Sequence, residues 1–304
     1  MTCYHPISAW QHKFKRNSKT GKSMVVFTPP ADIGNYRSIH VPCGQCIGCR
    51  LDYSRQWAQR CYHELSLYDK NCFITLTYDD DHVPWSSKTG EQTLFKRDLQ
   101  LFWKSLRKKI GKFRYFACGE YGDDTYRPHY HAIIFGFDFP DKQLFKCNRN
   151  GDYLYISDLL FETWKKGQCL VGNANYDTAA YVARYVVKKL NGPLGKEKYE
   201  GIEKEFVVMS RRPGIGRYWY DKYKSDLFPS DDCIVQSYGR FRRVRPAKYY
   251  SNLYDIDDPA SMEQIKLKRQ RGAEKGFEEQ AQCGRLDAME EFKVLQTTKL
   301  KRSV

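Results

Sequence analysis

The sequence lacks any run of about 18 apolar residues, so it predicts no transmembrane helix. Its first residues, Met1 to His5, lack the apolar stretch of a secretory signal peptide. No segment recurs at a fixed period, which excludes a repeat architecture. Acidic residues are few: 36 against 51 lysines and arginines, which gives the 304-residue chain a net charge of +15.

The eleven cysteines are an odd number, and several lie within periodic segments. A secreted domain held by disulfides would pair its cysteines, so this count favours a reducing compartment with some cysteines on metal. The basic charge, together with 15% aromatic residues, favours a polyanionic partner that offers flat faces for stacking. Single-stranded nucleic acid is such a partner.

Three cysteines at three-residue spacing, Cys43, Cys46 and Cys49, are separated by small residues including Gly44 and Gly48. This spacing predicts a tight knuckle that turns three sulfurs toward one ion, and a tetrahedral structural zinc site needs a fourth ligand. We expect Cys3, because it would hold an otherwise loose N-terminus. The alternatives are His5, Cys61 and His63.

Apolar periodicity predicts an α+β fold of several strands and helices. The predicted strands cover residues 72–78, 113–118, 129–136, 168–171 and 206–209, with a basic hairpin at 233–237 and 240–244. The predicted helices cover residues 50–67, 94–110 and 177–190, with a short helix capped by Ser157 and ending before Gly167. Residues 1–42 are expected to be irregular, and 137–153 and 191–203 to be polar loops.

Three segments follow from this pattern. Residues 1–68 form an N-terminal knuckle and helix, and residues 69–256 form the main domain with the basic hairpin. Residues 257–304 form a charged tail that is helical or partly disordered.

The stretch from Arg127 to Gly136 contains two histidines, His129 and His131, within a predicted strand. Side chains alternate along a strand, so both imidazoles lie on one face, about 7 Å apart, and can hold one metal ion. The alternative is a pair of partly buried histidines that satisfy local hydrogen bonds. If this strand pairs with the preceding one as a hairpin, Glu120 lies close to His129.

A carboxylate beside two imidazoles makes an open facial site, whose hardness favours Mg²⁺ or Mn²⁺ over a closed zinc site. The alternative for Glu120 is an ordinary acid at the end of a hairpin.

The predicted helix 177–190 separates two kinds of side chain. One side carries the apolar residues Ala183, Val186, Val187 and Leu190. The opposite side carries Tyr181, Tyr185 and Lys188, which we expect to stand free on a single exposed face.

A basic turn at 210–216, with Arg211 and Arg212, leads into the aromatic residues Tyr218, Trp219 and Tyr220. Interleaved basic and aromatic residues suit contact with a nucleic-acid backbone plus base stacking. The alternative is a structural turn.

Three motifs follow one another: the strand Phe-Ile-Thr-Leu-Thr-Tyr, then His-Tyr-His, then Tyr-Val-Ala-Arg-Tyr in a helix. This combination resembles the HUH endonuclease superfamily in its two-tyrosine branch. It also resembles the replication initiators of microviruses of the gokushovirus type. The knuckle Pro-Cys-Gly-Gln-Cys-Ile-Gly-Cys-Arg and the turn Ser-Arg-Arg-Pro-Gly-Ile-Gly add to this resemblance, which covers about residues 40–250.

The resemblance implies a central antiparallel sheet of the RRM or ferredoxin-like kind with packed helices. It implies a metal held by His129, His131 and Glu120, and a nucleophile at Tyr181 or Tyr185. Such an enzyme nicks single-stranded DNA at an origin, forms a 5′-phosphotyrosine bond and a free 3′-OH, and later religates the strand. Lys188 would assist the phenol, and the expected DNA contacts are Arg127, Arg184, Arg211, Arg212, Tyr218 and Trp219.

The resemblance further implies work in the cytoplasm of a bacterial host, with a host helicase as a further partner. A second hypothesis is a zinc-containing single-stranded nucleic-acid-binding protein without catalysis, in which the two histidines belong to the core. A third hypothesis is a metal-dependent hydrolase that releases a free 5′ phosphate. It is disfavoured because it gives the tyrosine helix no role.

Overall fold

The computed structural model describes residues 3–18, 23–122, 125–148, 151–188, 199–237, 239–280 and 284–298, with the backbone alone for 185–188, 237 and 274–280. The chain forms two compact units, Met1–Asp52 with Arg269–Lys301, and Tyr53–Lys268 with Arg302–Val304. The segments predicted from the sequence are divided differently, since the knuckle and the last helix belong to one unit.

The first unit contains a three-stranded antiparallel sheet of order β2-β1-β3. Its strands are β1 (Ile7–Arg16), β2 (Ser23–Val26) and β3 (Tyr36–Val41). The prediction that residues 1–42 are irregular is therefore wrong. The physical reason is that only Ala9 and His12 of β1 are buried, so the strand lacks an apolar alternation to reveal it.

The second unit contains a seven-stranded sheet of order β10-β5-β6-β4-β9-β8-β7, in which all neighbours are antiparallel. Its strands are β4 (Asn71–Thr77), β5 (Arg114–Tyr121), β6 (Pro128–Phe135), β7 (Gln143–Cys147), β8 (Tyr153–Ile156), β9 (Cys169–Gly172) and β10 (Phe206–Met209). A separate hairpin pairs β11 (Cys233–Ser237) with β12 (Arg240–Val244).

The described residues form the helices α1 (Ile47–Leu65), α2 (Lys96–Ile110), α3 (Asp158–Trp164), α4 (Tyr176–Lys188), α5 (Arg217–Leu227), α6 (Lys248–Asp257), α7 (Pro259–Gln280) and α8 (Arg285–Thr298). Across the part of the chain that the structure describes, no helix has the length and apolarity to cross a bilayer. Strands and helices together confirm the α+β class with a central antiparallel sheet.

Helices cover both faces of the large sheet, and the alternation in β6 shows which side chains each face receives. Tyr130 and Ile134 are buried with residues of α2 and α3, whereas Ile133 is buried with residues of α1 and α4. His129 and His131 share the parity of Ile133, so both lie on the face covered by α1 and α4. Strand parity therefore puts the two imidazoles on one side, as predicted.

The short helix α3 begins as predicted, because the Ser157 side chain accepts a hydrogen bond from the Leu160 amide at 3.1 Å. After its end, Gly167 adopts a φ of +133°. A Cβ on Gly167 would lie 2.3 Å from the Asp79 nitrogen. Only glycine lets this turn pass so close to the end of β4.

The prediction that residues 137–153 form a polar loop is wrong where β7 and the start of β8 occur. β7 stands at one end of the strand order, and all five of its residues are exposed. A strand without a buried face shows no alternation of apolar and polar residues, so sequence periodicity does not reveal it.

Candidate metal site and neighbouring tyrosine

The register between β5 and β6 brings a carboxylate to the two imidazoles. Glu120 is the direct cross-strand partner of His129. One carboxylate oxygen, Oε1 of Glu120, lies 2.8 Å from Nε2 of His129 and 2.8 Å from Nε2 of His131. The three ligand atoms lie within 4.8 Å of one another. The hairpin expected from the sequence does bring Glu120 beside His129.

The outer nitrogens of both rings have partners that orient them. Nδ1 of His129 lies 2.9 Å from the carbonyl oxygen of Arg127, and Nδ1 of His131 lies 3.0 Å from Oγ1 of Thr75. A carbonyl only accepts, so Nδ1 of His129 carries the proton. In the neutral ring, the lone pair on Nε2 then faces the carboxylate of Glu120.

The Nε2 lone pair and the carboxylate repel each other unless a positive charge lies between them or one of them binds a proton. Either a proton on the imidazole or a metal ion meets this need, and outer hydrogen bonds of this kind are usual around metal-binding histidines. The donor set therefore fits a divalent metal. Thr75 is a site residue that the sequence analysis missed, although a threonine within an apolar strand is a usable signal.

Glu120 is only 2% exposed, yet it remains anionic. Burial raises the pKa of its carboxyl, but contacts with His129 and His131, which donate to it when their Nε2 atoms carry protons, outweigh burial and lower that pKa to about 2. At neutral pH the site therefore presents a carboxylate ligand.

Tyr130, between the two histidines, points to the opposite face of the sheet and is fully buried there. Its hydroxyl accepts from the Phe95 amide at 3.1 Å and donates to the Phe95 carbonyl at 3.0 Å. The tyrosine therefore fills a position that requires an apolar ring and satisfies its one polar group. This packing fixes the strand that carries the two imidazoles.

Tyr181 of α4 packs edge-on against the metal site. Its ring centroid lies 5.1 Å from that of His131 and 6.2 Å from that of Phe73. The expectation that this phenol stands free on an exposed face is wrong, because the ring is half-buried. Among the α4 side chains that the structure describes, Tyr176 to Arg184, the buried ones are Ala179, Val182 and Ala183. The helix is thus rotated so that Tyr181 lies at the margin of the core.

The other predicted catalytic side chains, those of Tyr185 and Lys188, lie outside the described residues, although their backbone belongs to α4. The guanidinium carbon of Arg184 lies 5.7 Å from the ring centroid of Tyr181. A fixed positive charge therefore lies beside the phenol.

A pocket of about 340 Å³ opens over the site, and its walls include Thr75, His129, His131 and Tyr181. Arg127 also lines this pocket. Its guanidinium donates to the Tyr78 carbonyl at 2.8 Å and to the carboxylate of Asp80. The guanidinium is therefore held at the pocket by the end of β4.

The four predicted zinc ligands, Cys3, Cys43, Cys46 and Cys49, come together in the first unit with their sulfurs within 4.8 Å of one another. All four are free thiols, and the sulfurs of Cys3 and Cys46 are 3.9 Å apart. Four bonds of about 2.3 Å around a tetrahedral zinc ion separate sulfurs by about 3.8 Å.

Backbone amides of the knuckle point at its sulfurs. The Cys43 amide donates to Cys3 at 3.2 Å, the Cys46 amide to Cys43 at 3.3 Å, and the Cys49 amide to Cys46 at 3.4 Å. Burial raises the pKa of the Cys43 thiol, but amide donors outweigh burial and lower that pKa to about 7. The amide donors thus favour thiolate, the form that binds metal, at Cys43, whereas burial raises the pKa of the Cys3 and Cys49 thiols.

The alternative fourth ligands have other partners. His5 contacts the carboxylate of Glu290 on α8, and the same carboxylate accepts from the Ile47 amide at 3.3 Å. Cys61 and His63 are buried in the core of the second unit. Cys3 is therefore the residue that completes the four-sulfur group.

Similar known proteins identify the family to which the chain belongs. The family described as replication-associated protein ORF2 matches residues 71–190. Replication-associated protein VP4 of Bdellovibrio phage phiMH2K is 33% identical over 288 residues, which cover 90% of this chain and 85% of that protein. The chain belongs to this family of phage replication-associated proteins. Replication-associated protein ORF2 of Spiroplasma virus 4 is 30% identical over 243 residues, covering 77% of the chain and 74% of that protein. No solved structure matches the chain.

Membership in this family confirms the resemblance to microvirus replication initiators and gives the protein a role in phage DNA replication. The matched stretch 71–190 begins at β4 and ends just beyond α4. It therefore includes Glu120, His129, His131 and Tyr181.

The basic turn of this replication-associated protein is firmly anchored. Arg211 and Arg212 are exposed. The buried Glu64 carboxylate accepts from Nε of Arg114 at 2.6 Å and from the Gly216 amide at 2.6 Å. The turn is thus tied to α1 and β5, and its two predicted DNA contacts project from a rigid base.

The two aromatic residues predicted to stack on DNA differ in their surroundings. Tyr218 is 52% exposed. Trp219 stacks on His63, with ring centroids 3.6 Å apart and planes at 17°. One face of Trp219 is therefore covered within the protein, and its role as a DNA contact stays a prediction. Tyr218 is the more exposed of the two rings.

His63 makes stability depend on pH. Burial lowers its pKa to about 3 in the folded protein, against about 6.5 in the unfolded chain. Below about pH 6.5 the His63 imidazole binds a proton in the unfolded chain but not in the folded protein. The free energy of unfolding therefore falls as pH falls. Between about pH 7 and pH 5 the loss is about 2 kcal/mol.

We expect His63→Phe, which keeps a ring against Trp219, to lose less stability than the wild type over this interval. Urea unfolding at about pH 7 and about pH 5 measures both losses. Equal losses in the two proteins would show that His63 already accepts a proton when folded.

Proposed function

We propose that this replication-associated protein nicks and rejoins single-stranded DNA at the phage origin. The proposal is supported by one observation: Glu120 bridges His129 and His131, and the ring of Tyr181 lies 5.1 Å from that of His131. Metal ligands and a candidate nucleophile thus share one pocket.

Glu120, His129 and His131 would hold Mg²⁺ or Mn²⁺, since a carboxylate and two imidazoles leave positions open for phosphate oxygens. When bound there, such an ion would polarise the scissile phosphate and stabilise negative charge on the leaving 3′ oxygen. The protein supplies the orientation, because Thr75 and the Arg127 carbonyl hold the outer nitrogens of both rings.

In the proposed step, the Tyr181 oxygen attacks phosphorus and the bond from phosphorus to the 3′ oxygen breaks. The phenol proton ends on that oxygen, giving a 5′-phosphotyrosine and a free 3′-OH. Phenol has a pKa of about 10, so loss of its proton needs assistance. The guanidinium of Arg184 lies beside the ring, where its positive charge would offset negative charge that develops during the step.

The phosphotyrosine bond retains the energy of the broken diester, so a 3′-OH can reverse the step and rejoin DNA without ATP. Tyr185 would provide a second phenol, which allows a new cleavage while Tyr181 still holds DNA. Lys188 would neutralise charge at the phosphorus. These two roles extend the proposal to rolling-circle replication.

Arg127, Arg184, Arg211, Arg212 and Tyr218 would contact the strand through phosphate attraction and base stacking, so binding should weaken steeply with salt. The work would take place in the cytoplasm of the bacterial host, where a host helicase would separate the strands.

The four-cysteine knuckle would hold a structural Zn²⁺. Its four sulfurs lie within 4.8 Å of one another, the 3.9 Å between Cys3 and Cys46 matches a tetrahedral ion, and backbone amides donate to the sulfurs. Such a site stabilises folding and takes no part in the cleavage step.

His129→Ala and His131→Ala should abolish nicking of single-stranded oligonucleotides in Mn²⁺, because each change removes a metal ligand. Binding to the same oligonucleotides should remain within about threefold. Gel assays of cleavage and fluorescence anisotropy measure the two properties. Normal nicking by both variants would contradict the metal assignment and favour a protein that only binds nucleic acid.

Tyr181→Phe should reduce the covalent protein–DNA adduct, and Tyr181→Phe combined with Tyr185→Phe should eliminate it, because no phenol remains to form the bond. Denaturing gels with labelled oligonucleotide detect the adduct, and mass spectrometry names the linked residue. Tyr153→Phe, on the exposed strand β8, serves as a control. An adduct that persists in the double variant would place the nucleophile elsewhere.

The wild-type protein should contain one zinc per chain, and Cys46→Ser should lose it and unfold at lower temperature. Cys147→Ser changes an exposed cysteine of β7 and should retain the metal. Elemental analysis and thermal unfolding measure both properties. Equal zinc content in the two variants would argue against a site at the knuckle.

A further inference from the structure

We propose that a second pocket, adjoining the catalytic one, binds a single nucleobase of the DNA strand and gives the cleavage its base preference. This inference rests on the proposed function. The pocket has a volume of about 460 Å³, and its walls are formed by Trp85, Gln92, Tyr121, Thr125, Tyr126 and Ile202, with Gly90 and Glu91 at the side.

The two pockets are neighbours, because Thr125 lines both. Thr125 and Tyr126 immediately precede Arg127, whose carbonyl orients His129. A strand whose phosphate lies at the metal site can therefore place a flanking base in the second pocket.

Two aromatic rings at this pocket are open to solvent. Trp85 is 59% exposed and Tyr126 is 66% exposed. Tyr126 also has a φ of +52°, a left-handed conformation that side chains other than glycine, asparagine and aspartate rarely adopt. The backbone thus keeps a large ring exposed at a conformational cost, as occurs at binding sites. Exposed rings of this kind are stacking surfaces for bases.

Gln92 supplies a polar group for the base edge. Among the residues that the structure describes, no donor satisfies its buried Oε1. A buried acceptor without a donor costs about 1–3 kcal/mol, so such a group calls for a ligand. The exocyclic amine or ring N–H of a base would satisfy it. Gln92 pairs with Trp85 across a β-bridge, so the acceptor and one stacking ring are held together.

The walls are rigid enough to discriminate. The Ser86 amide donates to the Glu91 carbonyl at 2.7 Å, and the Thr93 amide donates to the Pro84 carbonyl at 2.8 Å. The buried Tyr121 hydroxyl accepts from the Leu94 amide and donates to the Glu203 carbonyl at 2.6 Å. A fixed frame around one acceptor selects bases by their hydrogen-bonding edge.

A base fits this pocket better than a phosphate does. The described residues that line it include the carboxylate of Glu91 and no lysine or arginine. A phosphate would meet repulsion there, whereas a neutral base gains stacking and a hydrogen bond. The cationic side chain nearby, that of Arg127, lines the catalytic pocket instead.

To test this, the protein is incubated in Mn²⁺ with a pool of single-stranded oligonucleotides of random sequence. The strands recovered as covalent adducts are then sequenced. The wild type should enrich one base type at one position beside the cut. Trp85→Ala should lower the adduct yield on the enriched sequence about tenfold, and Trp85→Phe should retain most of it. Gln92→Met should flatten the preference at that position alone. Phe145→Ala, an exposed ring of β7, should change neither property.

A second measurement is independent of cleavage. Bromodeoxyuridine-containing strands are cross-linked by ultraviolet light without added Mn²⁺, and the linked peptides are mapped. Cross-links should occur at Trp85 or Tyr126. If they occur elsewhere and the variants keep the wild-type base preference, the base pocket is wrong. If cross-links map to the pocket but no adduct forms, the base pocket stands and the nicking proposal fails.

Discussion

One buried carboxylate between two imidazoles governs the arrangement of the candidate metal site. Glu120 reaches His129 and His131 because β5 and β6 pair in one register, and a slip of one residue would move Glu120 to the other face of the sheet. The Arg127 carbonyl and Thr75 then fix the outer nitrogens. An ion at this site would therefore meet ligands that are already oriented, so little reorganisation would accompany its binding.

The elements that the sequence predicts best are those with a strongly buried face. In β4, β5 and β6 both faces of the strand pack into a core, which gives dense runs of apolar strand formers, and in α2 one buried stripe makes apolar side chains recur at helical spacing. The pairing of Glu120 with His129 was also predictable, since a short loop between two strands leaves few possible registers. The knuckle followed from cysteine spacing, and Cys3 was expected to join it because it would hold an otherwise loose N-terminus.

The parts that were not predicted depend on long-range packing or bury little. β1 and β7 expose most of their side chains, so neither carries an apolar alternation. Periodicity shows which residues of α4 share a face, but the rotation of the helix against the sheet decides that Tyr181 meets His131. Likewise, nothing near Trp219 in the sequence indicates that His63 will cover one face of its ring. The base pocket arises from three separated segments and has no short motif.

The carboxylate of Glu290 joins residues that are far apart in the order of synthesis. It contacts His5, 285 positions away, and accepts from the Ile47 amide, 243 positions away. A growing polypeptide leaves the ribosome from its N-terminal side, so the knuckle emerges well before α8. The Ile47 amide at the start of α1 must therefore remain hydrogen-bonded to water until α8 has been synthesised. The contact between the two elements consequently forms late in the folding of each molecule.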